Sequence, residues 1–271
     1  MTGDRDRRIL SLLLVGCVVC GVARAQHAGG DAATDLAKKR ENPVSDLINV
    51  PFESDFSFRT GQYRRTGYTL NVQPVWPFKL SGTWNLIPRL ILPMVSQPID
   101  VSDRKFGLGD TTLALFLSPR EPAPWGEAGI VWGMGPVVLL PTATSPLLGF
   151  QEWGAGATGA VIVTDGPWVT GALAQNVWSV TGHVNQFLLQ PQVTYNFEGG
   201  LAVSLGTDVA ADWTQHGRDR WTVDIGPGVS KTFFIGKQAM SVSLGAKPYV
   251  VRPPGAPAWV LQATLSFLFP K

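Results

Sequence analysis

Three polar residues near the middle of the chain have the side-chain types needed for ester hydrolysis. Ser179, His183 and Asn185 lie close together in the sequence, and a serine activated by a histidine base can attack an acyl carbon. The Ser179 hydroxyl and the His183 imidazole would need to form a hydrogen bond across one short loop, and no third group is clearly placed to orient the imidazole. We interpret His183 as a solvated loop residue, and a lipid acyl-hydrolase remains the alternative.

Other patterns that could support catalysis or ligand binding are weak. The stretch "FGLGDT" (106–111) has two glycines, but neither a lysine nor a helical pattern follows, so it does not predict a phosphate-binding loop. The chain has three histidines, and both cysteines precede residue 21, which argues against a structural zinc site. We therefore expect no metal, no cofactor and no enzymatic activity.

Alternating polar and apolar residues are the stronger signal. In "FLLQPQVTYNF" (187–197), every second residue from Phe187 to Phe197 is apolar, and the residues between are mostly amides and hydroxyls. A period of two predicts a β-strand with one apolar and one polar face. The same pattern recurs at 68–78, 201–213, 221–229, 240–250 and 259–269.

The first 25 residues resemble a secretory signal. A basic segment precedes the apolar run 9–23, and Ala23-Arg24-Ala25 fits a cleavage site before Gln26. Lipidation at Cys17, within a lipobox-like "LVGC", is the alternative. Cleavage after Ala25 removes four arginines and two aspartates from the 22 basic and 20 acidic residues, which leaves a formally neutral chain without cysteine. Neutrality argues against a nucleic-acid partner.

An exported, hydrophobic chain with alternating segments and no second long apolar run favours an all-β fold. We predict an antiparallel up-and-down transmembrane β-barrel over 47–271, after a flexible periplasmic arm at 26–46 that could instead fold into the lumen. Bilayer-crossing strands need roughly 10 residues, and about twelve candidates of that length lie at 47–58, 68–78, 83–96, 107–118, 126–140, 152–164, 167–180, 186–197, 201–213, 220–232, 239–251 and 258–269. The facing of 152–164 and 167–180 stays undecided, because these two strands alternate poorly.

Tryptophan positions distinguish a membrane barrel from a soluble one. Indole rings prefer the membrane interface, and a membrane barrel carries two aromatic belts. Only Trp132 is expected in the middle of a strand. The predicted interface residues are Trp76, Trp84, Trp125 and Trp168 at periplasmic strand ends, and Trp153, Trp178, Trp213, Trp221 and Trp259 at external strand ends.

The polar strand faces would line the lumen. They could form the wall of a narrow channel, or they could pair with one another and plug the barrel, and the strand number does not decide between these two interpretations. The residues predicted to contact solute are Asn71, Gln73, Arg89, Asp110, Gln190, Gln192, Asp208, Asp212 and Lys247, with Glu53, Asp55 and Asp224 also facing inward.

Several short motifs resemble one bacterial family. They are "ENPVSDLINVPF", "LNVQPVWPF", "FGLGDT", "LLPTAT", "FLLQPQVTY", "GVSK", "IGKQ" and the closing "LSFLFPK". Over residues 41–271 the chain resembles outer-membrane proteins commonly mislabelled "neuromedin U", which are related to transporter-like barrels of aromatic-degradation (phenol meta-pathway type) systems. The resemblance implies an outer-membrane barrel that transports small solutes passively. It carries no catalytic motif.

These expectations combine into one hypothesis. The chain is a monomeric barrel of the cell outer membrane that passes small, aromatic or other hydrophobic solutes. Its expected partners are outer-membrane lipid and lipopolysaccharide, a small-molecule solute and the barrel-assembly machinery. A rim hydrolase and a structural barrel with a plugged lumen are the alternatives.

Overall fold

The computed structural model describes residues 30–270. The predicted signal peptide, the cleavage site after Ala25 and the alternative lipidation at Cys17 lie outside the described residues.

The described chain is one helix followed by seventeen strand segments. Helix α1 spans Gly30–Arg40, and two 3-10 turns lie at Glu198–Gly200 and Gly217–Arg220. The strands are β1 (Ile48–Thr60), β2 (Arg65–Val72), β3 (Phe78–Lys79), β4 (Trp84–Pro98), β5 (Arg104–Leu108), β6 (Thr111–Pro119), β7 (Ala123–Trp125), β8 (Ala128–Leu140), β9 (Gly154–Asp165), β10 (Trp168–Ser179), β11 (Asn185–Asn196), β12 (Leu201–Gly206), β13 (Val209–Asp212), β14 (Trp221–Asp224), β15 (Gly226–Ile235), β16 (Gln238–Val251) and β17 (Trp259–Phe269).

These segments form a closed antiparallel barrel of twelve strands, as the alternating pattern predicted. Four barrel strands contain internal breaks: one strand between β2 and β3, one between β12 and β13, one between β14 and β15, and one that is broken twice, between β5 and β6 and between β6 and β7. The first strand closes the barrel by pairing with the last, from Ile48 opposite Phe269 to Phe58 opposite Trp259. Closure leaves no free sheet edge, so every barrel strand has hydrogen-bonded neighbours on both sides.

The two ends of the barrel differ in their connections. At the end that holds α1 and the last residues of β17, the connections are short, and three of them have two residues each: 126–127, 166–167 and 236–237. We call this the turn end. The opposite end, the loop end, carries the longer connections, including 99–103, 141–153, 213–220 and 252–258.

Strands on one half of the barrel place polar residues inside, whereas β4, β6 and β8 also send apolar residues inward, and so do β9 and β10. The inward residues of β9 and β10 include Ile162, Val169, Leu173 and Val177, each at most 6% exposed. The alternating pattern predicted no facing for β9 and β10, because both faces of these two strands are apolar. The inner face of this half of the barrel is a packed hydrophobic core.

Within residues 30–46, predicted as a flexible arm that could instead fold into the lumen, the structure forms helix α1 and the segment that joins it to β1. The buried helix residues Ala33, Leu36 and Ala37 face the barrel. Leu36 packs in a cluster with Leu47, Ala239 and Leu268 at the turn end. An apolar stripe on a short helix stabilises that helix when another surface covers it, and here the barrel covers it. No helix within residues 30–270 is long and apolar enough to span a bilayer.

Candidate functional site

Strand alternation places a polar inner wall on one half of the barrel. On β11, Gln190 and Gln192 face inward, and Thr194 and Asn196 beyond them are almost fully buried at 1% and 3% exposed. The predicted facing of this strand is therefore confirmed. The polar inner wall consists of Glu53, Asp55, Asn71, Gln73, Gln190, Gln192, Asp208, Lys247 and Gln262.

One hydrogen-bond network of this wall centres on two carboxylates of β1. Glu53 Oε1 accepts hydrogen bonds from Asn71 Nδ2 at 3.4 Å and from Gln73 Nε2 at 3.0 Å. Asp55 accepts from Asn71 at 3.3 Å and from Gln262 at 2.9 Å. Amide groups therefore satisfy these acids, and no cation of the described residues forms an ion pair with either.

A second network pairs charges across the barrel. Lys247 Nζ lies 2.9 Å from Asp208 Oδ2, and Gln190 Nε2 donates to the other oxygen of Asp208 at 2.8 Å. Asp208 lies in the break between β12 and β13, where its backbone N–H donates to Asp224 at 3.2 Å. Four of the predicted lumen residues thus meet in one network.

An apolar inner wall faces the polar one. It is built by Ile87, Ala114, Phe116, Val137, Ala160, Leu173 and Val177, which come from β4, β6, β8, β9 and β10. Phe116, Ile87 and Val137 are fully buried. These side chains are close-packed, so the space for a solute lies on the side of the polar inner wall.

A cavity of about 320 Å³ lies along the polar inner wall. Gln73, Arg89, Gln190, Gln192 and Lys247 line it on the polar side, and Ile162 and Leu173 from β9 and β10 complete the lining. A solute in this cavity would contact amide groups on one side and hydrocarbon on the other. The interior is therefore amphipathic in cross-section.

Residues just after α1 close the cavity toward the turn end. Arg40 donates to Ser230 Oγ and Ser241 Oγ, each at 2.9 Å, and it pairs with Glu41. Gln192 Nε2 donates to the backbone oxygen of Glu41 at 2.9 Å. Val44 is 2% exposed and packs with the apolar inner wall. We call residues 40–44 the inner plug. Sequence reasoning missed Arg40 and Glu41 as interior residues, since neither lies in an alternating segment.

Three residues predicted to contact solute do not line this cavity. Asn71 bonds to Glu53 and Asp55 within the polar inner wall, and the other two lie farther away. Asp110 sits in the break between β5 and β6, where its carboxylate accepts the backbone N–H groups of Ala143, Phe150 and Gln151. It therefore holds the 141–153 loop at the barrel mouth. Asp212 accepts from the backbone and hydroxyl of Thr214 and lines a separate cavity of about 530 Å³ at the loop end. The alternating pattern predicted that Asp110 and Asp212 point inward, but it could not predict how far along the barrel axis each side chain lies.

The residues considered for hydrolysis do not assemble. Ser179 Oγ accepts the Val184 backbone N–H at 3.1 Å and bonds to Thr181. Asn185 bonds to Asn176 at 3.1 Å. His183 instead places its Nδ1 2.7 Å from Oε1 of Glu152. Among the described residues, no hydrogen bond joins Ser179 to His183, so the nucleophile lacks its base.

Glu152 is the residue of this rim cluster that sequence reasoning missed. It lies in the 141–153 loop, where it accepts from Thr181 and meets His183. The hydrogen bond from Thr181, followed by that from His183, lowers the pKa of the Glu152 carboxyl below its ordinary value. The contact joins the 141–153 loop to the 180–184 loop. Glu152 therefore connects these two loops at the rim of the barrel.

The tryptophans form two rings on the outer surface. Trp76, Trp84, Trp125 and Trp168 lie toward the turn end, and Trp153, Trp178, Trp213, Trp221 and Trp259 lie toward the loop end. Trp132 joins the first ring, because its indole packs edge-to-face on Trp84 with centroids 5.9 Å apart. Its position is thus closer to the turn end than the sequence suggested.

The described residues offer no evident metal site. Within residues 30–270, no three histidine or acidic side chains cluster as metal ligands would. The glycines of "FGLGDT" lie beneath the 141–153 loop: a Cβ added at Gly107 would meet Thr144 and Leu148. These glycines make room for that loop.

Comparison with known proteins supports the fold. A scan of protein-family models finds no match, and a search of curated proteins finds none. Among solved structures, an outer-membrane channel from Pseudomonas putida F1 superposes with a TM-score of 0.61 at 16% identity, covering 83% of this chain and 96% of that one. At this identity the likeness establishes the barrel fold alone.

Two further structures are more distant. The outer membrane phospholipase A of Escherichia coli has a TM-score of 0.47 at 10% identity, covering 88% of this chain and 97% of that one. The CymD monoaromatic hydrocarbon channel has a TM-score of 0.42 at 8% identity, covering 90% and 94%. Neither likeness is close enough to favour an enzyme or a channel.

Proposed function

We propose that this chain is a barrel of the cell outer membrane that passes small solutes with both polar and apolar parts, aromatic compounds included. The observation that carries this proposal is the solute-sized cavity between the polar wall and the side chains of β9 and β10. Amide-lined walls suit small polar or amphipathic solutes better than they suit an ion-selective filter.

The outer surface supports a membrane location. Large apolar side chains point outward around the barrel, such as Met134 at 61% and Leu244 at 52% exposed. A soluble protein rarely exposes a continuous apolar surface, whereas lipid covers the apolar band of a membrane barrel between two aromatic belts. In this proposal lipid and lipopolysaccharide cover the band, the assembly machinery inserts the chain as a monomer, and the turn end faces the periplasm.

The inner plug makes the proposed channel narrow. Arg40 and Glu41 are tied to the wall by hydrogen bonds, and Val44 is packed against hydrocarbon, so ions would pass at a low rate. We expect slow permeation by small amphipathic solutes and small single-channel steps.

Permeation can be measured on the purified chain. Proteoliposomes should swell in small solutes such as benzyl alcohol glycosides or amino sugars faster than protein-free liposomes, and planar bilayers should show small conductance steps. A complete lack of both swelling and conductance would contradict the channel. An uptake assay that compares a deletion strain with its complemented form, across aromatic acids and alkanes, would then define the solute range.

A further inference from the structure

Arg89 lies at the boundary between the two inner walls. It projects inward from β4 and lines the cavity. Its strand neighbour Ile87 is fully buried in the apolar wall, and its cross-strand partners are Val75 and Ala114, which belong to the same apolar cluster. A charged group therefore stands beside hydrocarbon, within reach of a solute.

The guanidinium of Arg89 is largely unpaired. Its Nη2 donates one hydrogen bond, to Gln73 Oε1 at 2.9 Å, although a guanidinium offers five N–H donors. The ion pairs found among residues 30–270 do not include Arg89. Glu53 and Asp208 act on Arg89 only at longer range, without a direct ion pair, so its unused N–H donors are available to an anion in the cavity.

The other interior cations already have carboxylate partners. Lys247 pairs with Asp208 at 2.9 Å, and Arg40 pairs with Glu41 and bonds two serines. Gln73 stands between Arg89 and Glu53, since it accepts from Arg89 and donates to Glu53 at 3.0 Å. Arg89 is thus the cavity-lining cation, among the described residues, that lacks a carboxylate.

The surroundings restrict which anion would bind. Glu53 and the Asp208–Lys247 pair surround the cavity with acidic groups, so a bare inorganic anion gains little from one guanidinium. An anion with an apolar body would gain more, because that body can rest on Leu173 and Ile162 and leave water. Ligand pockets span roughly 300 to 1,000 Å³, so a cavity of about 320 Å³ fits a small molecule.

We propose that Arg89 binds the carboxylate of a small monocarboxylic acid whose apolar body lies against the side chains of β9 and β10. The arrangement matches both parts of such a molecule: a planar guanidinium forms two parallel hydrogen bonds with a carboxylate, and the neighbouring wall is hydrocarbon. This inference rests on the proposed function, since it names the solute class of the same cavity.

Binding can be tested without transport. Isothermal titration calorimetry on the whole mature chain in detergent would use benzoate, with benzyl alcohol, benzylamine and phenylalanine as neutral, cationic and zwitterionic analogues and with protein-free micelles as blanks. We expect benzoate to bind at least several-fold more tightly than each analogue. Equal affinity for benzoate and benzyl alcohol would overturn the proposal. Tighter binding of benzylamine than of benzoate would also overturn it, because the carboxylate of Glu53 would then determine the charge preference of the cavity. Tighter binding of phenylalanine would assign the cavity to zwitterions.

Variants assign the effect to the guanidinium. Arg89→Gln should weaken benzoate binding about tenfold or more, as expected when a charged hydrogen-bonding partner is lost, and should leave benzyl alcohol unchanged. Arg89→Lys keeps the charge and should retain part of the affinity. Arg218→Gln is the matched control, because Arg218 is exposed in the turn Gly217–Arg220. Unchanged benzoate affinity in a folded Arg89→Gln protein would refute the proposal.

The same preparations separate this inference from the channel itself. Liposomes that swell in neutral solutes while benzoate fails to bind would refute the carboxylate site and leave the channel intact. Benzoate binding that depends on Arg89, in a protein that conducts nothing, would refute the channel and leave the site.

Discussion

At the scale of single residues, glycines on the inner face set how closely neighbouring strands approach. A Cβ added at Gly156 of β9 would lie 1.7 Å from the carbonyl oxygen of Asn176 on β10. Gly156→Ala should therefore destabilise the barrel by about 1–3 kcal/mol, the usual cost of overpacking. Urea unfolding of the vesicle-inserted protein, followed by tryptophan fluorescence, measures the change.

Gly159 provides a control on the same strand. A Cβ added there would have no neighbour nearer than 3.7 Å, so Gly159→Ala should change the stability by less than about 0.5 kcal/mol. If both alanine variants unfolded at the same urea concentration, the close strand contact at Gly156 would not be the cause.

The rim residues give a second prediction at this scale. Because Ser179 bonds to Thr181 and Val184 instead of His183, Ser179→Ala and His183→Ala should leave phospholipid hydrolysis at the background of protein-free vesicles. Release of fatty acid from mixed micelles measures this rate. A wild-type rate above background that either substitution abolishes would restore the hydrolase alternative.

At the scale of elements, the inner plug controls access from the turn end. Arg40 ties the plug to Ser230 and Ser241 of the barrel wall, and a lost hydrogen bond to a charged group weakens such a contact by roughly 1.5–3 kcal/mol. Arg40→Gln should therefore increase the mean conductance and its fluctuations in planar bilayers. Deletion of residues 30–44 should increase the conductance further.

Lys39 allows a matched control for the plug. Its side chain is 53% exposed and pairs with Asp46 at the surface, where an ion pair contributes about 0–1 kcal/mol. Lys39→Gln should leave the conductance at the wild-type value. A wild-type conductance in the deletion variant would show that residues 30–44 do not obstruct the pore.

The loop contact at Glu152 predicts a pH dependence. Since its pKa is lower in the folded protein, Glu152 stabilises the contact fully above the ordinary pKa of a glutamate, and this stabilisation is lost as the pH falls through the lower folded value. The protection factors of the amides of residues 141–151, obtained by hydrogen exchange and corrected for the intrinsic exchange rate at each pH, should fall at acidic pH in the wild type. Glu152→Gln should show fast exchange in this loop already at neutral pH, and slow exchange there would contradict the role of the carboxylate.

Elements with two apolar faces were the ones that sequence periodicity could not orient. The inward side chains of β9 and β10, such as Leu173 and Val177, pack in the apolar inner wall, and their outward side chains are apolar as well. A period of two therefore cannot predict which face of these strands points inward. Helix α1 was missed for a different reason. Its sequence is short and polar, and the surface that stabilises it is built by distant residues such as Leu268.

At the scale of the whole molecule, the apolar outer band predicts a depth-dependent cost for charge. Leu244 lies outward near the middle of β16, whereas Ile235 lies outward at the turn end of β15. A lysine costs about 2–4 kcal/mol at the bilayer midplane and about 0–1 near the interface. Leu244→Lys should therefore unfold from vesicles at lower denaturant than Ile235→Lys, and equal losses would argue against a membrane-embedded band.

Strand number followed from the sequence because most barrel strands repeat the same alternation. The register of β1 on β17 and the five internal breaks did not, since they depend on partners far along the chain. The amide-rich faces of β2 and β11 identified Gln73, Gln190 and Gln192 at the cavity. Alternation alone could not separate these residues from Asp110, which serves the 141–153 loop.

The unequal inner walls have a consequence for engineering the calibre of the barrel. Half of its circumference is a rigid, close-packed arc around Phe116, and truncation there would open voids that the core cannot fill without losing stability. The opposite arc carries side chains that contact the cavity, such as Gln192. Substitutions that widen or narrow the bore should therefore be made in the arc that carries Gln192. The close-packed arc around Phe116 should be left unchanged as the scaffold.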